Sequence, residues 1–364
     1  MKKVLVITNH SYMLWRFRKE LLQELQKKYE VVISTPFVGH EKDFEQLGFK
    51  MVETQLERRS INPLGELKLF KNYCDLIKKE KPDLVITYSI KPNIYAGLAC
   101  RKLHVSYVTN VQGLGTAFQK KGIATVTTIL YRIALKKASV VFFENEENAS
   151  IFIENKIVPE SQQKVLPGAG INLDYYELQP YPENDKCHFL YLGRIMKEKG
   201  MDELFWAVQE LHKKYQDKFV LDLVGFFEDE YKEQVEQLEK DGIVVFHGFQ
   251  EEPRPYYTKA DCVVLPSYHE GLSNVLLEAA ATGRAIITSN IPGCRETVKD
   301  GKSGFLCAVK DAESLLAQME RFMEMSQDEK KEVGLCGRSL VEEKFEKEMV
   351  VGMTVSEIRK SLGD

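Results

Sequence analysis

Short, unbroken apolar runs recur along this chain with helical segments between them, and that rhythm restricts the fold more than any other feature. A strand apolar on both faces belongs in a sheet covered on both sides, which means parallel strands joined by crossover helices. The first series reads VLVIT (4–8), a helix over 21–29 with Leu21, Leu22 and Leu25 on one face, VVIST (31–35), a helix over 67–80, DLVITYS (83–89), SYVTNV (106–111) and SVVFFEN (139–145). A polar stretch, 178–186, then interrupts it; with Pro180 and Pro182 it reads as a linker. The series restarts with FLYLG (189–193), a helix over 200–215, VLDLVG (220–225), a helix over 229–240, VVFHG (244–248) and CVVLP (262–266). A helix over 273–282, AIITS (285–289), GFLC (304–307) and helices from Ala312 complete it. A length of 364 residues suits about two domains. The expectation is an α/β chain of two doubly wound, Rossmann-like parallel-sheet domains, 1–180 and 187–345, facing an interdomain cleft. A last helix, about 346–364, is expected to pack back on the first domain.

Other classes are excluded by simpler counts. No apolar stretch approaches the roughly 20 residues needed to span a bilayer, and VLVI near the start is too short for the apolar region of a secretory signal. The seven cysteines are dispersed with no C-x-x-C spacing, as in reduced core residues of a cytoplasmic protein. The net charge of -4 hides an asymmetry: residues 1–180 hold 26 Lys+Arg against 19 Asp+Glu, and the remainder 24 against 35. The basic half reads either as ordinary variation between domains or as a face turned to something anionic. An acidic total without an aromatic–basic stripe opposes nucleic-acid binding.

The residues that suggest chemistry lie in PSYHEGLSNVLLEAAATGRAIITS. Glu278 sits among Val275, Leu276, Leu277, Ala279, Ala280 and Ala281, and burying an unpaired carboxylate costs several kcal/mol. Its partner is either a Lys or Arg inside the fold or the hydroxyls of a ligand. The E-x7-E spacing of Glu270 and Glu278 carries no weight alone, since Glu45/Glu53, Glu146/Glu154 and Glu228/Glu236 share it in polar stretches. Eight residues turn a helix by ~800°, so the two acids do not share a face and Glu270 is expected to precede the helix. Ser273 or Asn274 would cap that helix and Gly283 would end it, leaving its N-terminal amides open to a phosphate. Gly193-Arg194 and Lys199-Gly200 follow the first strand of the second series. Two cations there suit a diphosphate, Arg as a fork and Lys as a point charge, or else are simply solvated.

In order, YLGRIMKEKG, FHGFQEEPRPYYTKADCVVLPSYHEGLSNVLLEAAATGRAIITS and the G-x-x-E-T-V-x-D-G-x-x-G-F-L run at 293–306 resemble the donor half of a retaining glycosyltransferase of family 4 with the GT-B architecture. YSIKPNIYAGLACR (88–101) and VTNVQGLGTAF (108–118) are similar to the branch that acts on polyprenyl-diphosphate-linked saccharides in capsule, O-antigen or glycan assembly. The resemblance implies that Gly193, Arg194 and Lys199 meet the donor diphosphate and that Glu278 takes ribose hydroxyls. It implies that Glu270, Gly271, Leu272, Ser273 and Asn274 hold the transferred hexose, that the Val275 amide assists the phosphates, and that His247 and Gly248 lie near the base. It implies a UDP-sugar substrate, no metal and no cofactor. N-acetylgalactosamine is the sugar expected by resemblance, among N-acetylhexosamines and hexoses.

Two stretches depart from the family pattern. Asn9-His10-Ser11-Tyr12 stands where a Gly-rich loop is common, and Asn110-Val111-Gln112-Gly113 carries glutamine where many members have histidine. A glutamine cannot act as a base, and His10 and His104 read as structural or surface residues. In front-face attack the leaving phosphate can accept the acceptor's proton. Arg194 and Lys199, with Glu270, then become the catalytic candidates, through positioning and charge stabilisation. Asn9, Arg16, Lys91, Asn93, Asn110 and Gln112 are the acceptor-side candidates. Residues 15–19, Arg58-Arg59 and 117–137 mix cations with apolar groups. They read either as solvated and core surfaces or as a peripheral face on an anionic membrane, placing the protein at the inner face of the cell membrane. Two other readings remain open: a non-catalytic nucleotide-sugar binder, and a sugar-nucleotide epimerase of the same two-sheet type.

Overall fold

The structure, a computed structural model, describes residues 1–56, 62–114 and 121–364. It divides into two compact units, Met1–Gly170 with Lys347–Asp364, and Ile171–Glu346. The proline-bearing stretch 178–186 lies inside the second unit.

The first unit runs β1 (Lys3–Ile7), α1 (Ser11–Gln26), β2 (Glu30–Thr35), α2 (Glu41–Gln46), β3 (Lys50–Glu53), α3 (Pro63–Glu80), β4 (Leu84–Tyr88), α4 (Ile90–Leu103), β5 (Ser106–Val111), α5 (Lys121–Leu135), β6 (Val140–Phe143), α6 (Glu146–Glu154) and β7 (Gln163–Val165). The second runs β8 (Cys187–Leu192), α7 (Met201–Tyr215), β9 (Phe219–Val224), α8 (Lys232–Lys240), β10 (Val244–Gly248), α9 (Arg254–Lys259), β11 (Cys262–Leu265), α10 (Asn274–Ala281), β12 (Ala285–Ser289), β13 (Phe305–Cys307), α11 (Ala312–Glu324) and α12 (Gln327–Lys344). The last helix, α13 (Lys347–Leu362), belongs to the first unit.

Both sheets are parallel throughout. Their orders are β3-β2-β1-β4-β5-β6-β7 and β10-β9-β8-β11-β12-β13. Each chain path leaves its first strand in one direction and later continues on that strand's other side. The reversal, between β1 and β4 and between β8 and β11, is where open α/β sheets bind ligands beyond the carboxyl ends of their strands.

The apolar strand residues do what their lack of alternation predicts. Leu5 and Val85 face one layer, with Leu69 and Tyr73 of α3 and Tyr131 of α5. Val4 and Ile86 face the other, with Leu21 of α1 and Val355 and Ile358 of α13. The helix expected at 21–29 instead begins at Ser11. Its buried stripe of Ser11, Leu14, Arg18, Leu21, Leu22 and Leu25 contains two polar members that mask the period. Strands β3 and β7 escaped the sequence reading because they are short, lie at sheet edges and bury little.

Candidate active site

In the second unit, the turn after β8 carries Arg194 and Lys199, and the loop after β11 carries Glu270. The Lys199 Nζ lies 2.5 Å from the Glu270 Oε1, and the same oxygen accepts from the Ser267 hydroxyl at 2.8 Å. The pair therefore spans the β8/β11 reversal. Arg194 is more exposed, and its Nη1 meets Glu228 at 2.7 Å. Beneath them, the Tyr191 hydroxyl donates to the Arg194 carbonyl at 2.6 Å. Burial pushes the Tyr191 phenol well up, Glu270 adds to that and Arg194 opposes it, so one buried ring senses both charges.

Two glycines make this convergence sterically feasible. Gly200 has φ +75°, and a Cβ there would lie 2.1 Å from the Pro266 carbonyl oxygen. Gly293 has φ +82°, and its Cβ would lie 2.3 Å from the Gly271 oxygen. The loops after β8, β11 and β12 thus press backbone on backbone, joined by Tyr268 N–H to the Glu198 oxygen (2.9 Å) and Ser273 N–H to the Gly293 oxygen (2.8 Å).

Helix α10 begins after Ser273, whose side chain makes no capping bond, and ends at Thr282 with Gly283 following at φ +76°. Leu272 and Ser273 are buried; Gly271, Asn274 and Val275 are half-buried. Glu278 is 2% exposed, and its Oε2 accepts from the Tyr257 hydroxyl of α9 at 2.8 Å. That hydroxyl, 21 residues away in sequence, was not foreseen as a partner. His247 occupies a register shift at the end of β10, the kind of irregularity that re-aims a side chain. Its Nε2 lies 2.7 Å from Asp222 Oδ1, while His188 Nδ1 lies 2.6 Å from Asp222 Oδ2. Burial raises the Asp222 carboxyl, but the bonds to the two histidines outweigh it and hold the group below its usual range. An aspartate inside the apolar strand VLDLVG was the available signal for this network. Gly248, at φ +67°, accepts from the Gly225 amide at 2.9 Å, and the Gly193 amide donates to the Val224 oxygen at 2.9 Å.

In the first unit, Asn9 follows β1 and Ser89 follows β4, and the Ser89 hydroxyl donates to Asn9 Oδ1 at 2.8 Å across the other reversal. Ser89 holds φ +74°, rare for a residue with a side chain, and sequence reasoning passed over it. Lys91 and Asn93 lie just past the end of β4, in the first turn of α4. Lys91 is paired with Glu66 at 2.6 Å, and Asn93, 1% exposed, donates to the Asn110 carbonyl at 2.8 Å. Asn110 is also buried, its amide on the Thr87 carbonyl at 3.2 Å. Gln112 lines a narrow recess with Arg18, Asn110, Glu144 and Gly168. Arg16 lies 3.5 Å from the Tyr12 hydroxyl, one turn back on α1. His10 precedes α1 and His104 ends α4 exposed. Of residues 15–19, four are half-buried and one is buried. None of them is fully exposed, and Arg18 is buried on Glu144 at 2.7 Å, a contact a sequence window cannot show. Arg58-Arg59 and 115–120 lie outside the described residues.

These features define an α/β protein of two Rossmann-like units, with charged residues gathered beyond the carboxyl ends of β8 and β11 in the second sheet. The description "Glycosyl transferase 4-like" matches residues 3–145, and "Glycosyl transferases group 1" matches residues 179–334. The chain belongs to this glycosyltransferase family, and its fold is GT-B. It is 27% identical to an N,N'-diacetylbacillosaminyl-diphospho-undecaprenol alpha-1,3-N-acetylgalactosaminyltransferase of Campylobacter jejuni, over 89% of each chain. It is 25% identical to the capsular polysaccharide biosynthesis glycosyltransferase CapM of Staphylococcus aureus, over 95% of this chain and 93% of that one. Among solved structures, Anabaena Alr3699/HepE in complex with UDP and glucose superposes with a TM-score of 0.81 at 16% identity, covering 99% of this chain and all of that one. That likeness is one of fold.

Proposed function

We propose that this glycosyltransferase moves a sugar, N-acetylgalactosamine or a related N-acetylhexosamine or hexose, from a UDP-sugar to a lipid-linked saccharide with retention of configuration. The observation that carries the reading is the Lys199–Glu270 pair across the β8/β11 reversal, with Arg194 on the same turn after β8. In this reading Arg194 and Lys199 stabilise the charge that grows on the diphosphate as the glycosidic bond breaks. Glu270 orients Lys199 and takes hydroxyls of the hexose, with the backbone from Gly271 to Asn274 around it. Glu278, steadied by Tyr257, takes ribose hydroxyls, Val275 assists the phosphates, and Gly193, His247 and Gly248 border the nucleotide. The leaving phosphate accepts the acceptor's proton, so Gln112 is not required to act as a base and no metal enters the scheme.

The acceptor reading rests on the Campylobacter relative, whose name gives a diphospho-undecaprenol-linked acceptor, and the Staphylococcus relative adds capsular polysaccharide biosynthesis. On the first unit, Asn9, Arg16, Lys91, Asn93, Asn110 and Gln112 are the acceptor-side residues, and the acceptor's lipid would hold the enzyme at the inner face of the cell membrane. The test is a panel of UDP-sugars with and without a polyprenyl-diphosphate-linked saccharide, read by UDP release and product mass. One donor consumed only with the lipid-linked acceptor is the result expected. Binding without turnover of any donor would leave a nucleotide-sugar-binding protein instead.

A further inference from the structure

Tyr268 lies two residues before Glu270, in the loop between β11 and α10. It is 7% exposed, yet it falls outside the apolar core that holds Tyr191, Tyr231 and Tyr257. Its neighbours are charged instead. Its hydroxyl lies 2.8 and 2.7 Å from the two carboxylate oxygens of Glu203, in the first turn of α7. The Nζ of Lys310, beyond β13, lies 4.9 Å from the ring centroid. Burial pushes the Tyr268 phenol up and Glu203 adds to that, so the hydroxyl keeps its proton and donates. The N-terminal end of α7 in turn favours a carboxylate at Glu203.

The residues on both sides of this contact belong to the site. The Tyr268 amide donates to the Glu198 oxygen at 2.9 Å, next to Lys199 in sequence. Ser267 and Lys199 both meet the Glu270 Oε1. Tyr268 and Glu270 therefore both reach back to the single segment 198–203. Lysine carries a point charge on a flexible stem, so the Lys199–Glu270 pair by itself sets no register between the two loops. A phenol shared between both oxygens of a carboxylate is directional and charge-assisted, and can set it.

We propose that Tyr268, through Glu203, is a positioning residue for the reaction. It holds the Glu270 loop on the start of α7, so that Lys199 and Glu270 meet the donor together. This rests on the reading that both side chains act in the transfer. The test compares Tyr268→Phe, Glu203→Gln and Tyr231→Phe in steady-state UDP release, with the donor and lipid-linked acceptor that the panel selects. Tyr231 is the control: its hydroxyl donates to Asp202, in the same first turn of α7, at 2.6 Å, but from the loop after β9. Tyr268→Phe should lower kcat by roughly ten- to a hundredfold, the loss expected from misplacing a charged group by about 1 Å, and change the donor KM by less than about threefold. Glu203→Gln, whose amide oxygen still accepts from the phenol, should show a smaller loss of the same kind. Tyr231→Phe should keep the parent's kcat while urea melts show a loss of stability like that of Tyr268→Phe. If Tyr268→Phe does not fold, Glu203→Gln against Tyr231→Phe decides. A folded Tyr268→Phe with the parent's kcat, or a Tyr231→Phe that loses as much, would overturn the proposal. A crystal structure of Tyr268→Phe should show Lys199 and Glu270 drawn apart, and an intact pair there would overturn it whether or not the parent transfers sugar. A parent that turns over no UDP-sugar would instead remove the transfer reading, with the crystal structure still deciding whether Tyr268 sets the pair.

Discussion

Removing the Lys199 ammonium leaves the Glu270 Oε1 with the Ser267 hydroxyl and takes away the cation paired with it. Lys199→Met should therefore cost roughly 10²–10³ in kcat, the loss typical of one electrostatic donor, in steady-state UDP release. Tyr257→Phe takes a hydroxyl from the buried Glu278 carboxylate. It should cost about 1–3 kcal/mol in urea unfolding, and should raise KM for the donor nucleotide more than it lowers kcat. Asp222 gives a pH prediction. Its folded pKa lies below the usual 3.8, so its stabilisation is complete above that value and is lost as pH falls through the folded pKa. In acid unfolding below about pH 4, the parent should lose stability more steeply than Asp222→Asn. Glu270 and Glu278 stood out in the sequence because carboxylates in apolar or Gly-flanked surroundings need a reason. The pairings themselves did not, because Tyr257 and Lys199 lie 21 and 71 residues away and spacing reports only contacts along one helix.

At the scale of elements, the turns that bring the site loops together depend on glycine. Gly200 and Gly242 have nearly the same φ, +75° and +73°, but only Gly200 has backbone where a Cβ would go. Gly242→Ala should cost about 1 kcal/mol from its left-handed conformation. Gly200→Ala should cost at least about 2 kcal/mol more, with the difference read from paired denaturant melts. The central strands were legible because burial on both faces demands continuous Val, Leu and Ile. Helix α1 was half-read because Ser11 and Arg18 interrupt its buried stripe, Arg18 being paired with Glu144 far along the chain. The edge strands β3 and β7 and the short α2 carry too little buried apolar surface to announce themselves.

At the scale of the whole molecule, the chain builds one kind of sheet twice and places polar residues at each reversal of strand order. Asn9 and Ser89 mark the first, and Lys199 and Glu270 the second. The order of strands was not legible, since apolar runs show that strands are buried but not which ones pair. Strand order is nevertheless what turns two distant motifs, GR-x4-KG and the Glu270 loop, into one cluster. The most direct test is a crystal structure of the protein with UDP. The diphosphate should lie against Arg194 and Lys199 beyond the ends of β8 and β11, with the ribose hydroxyls at Glu278. UDP bound elsewhere, or touching neither cation, would contradict the account.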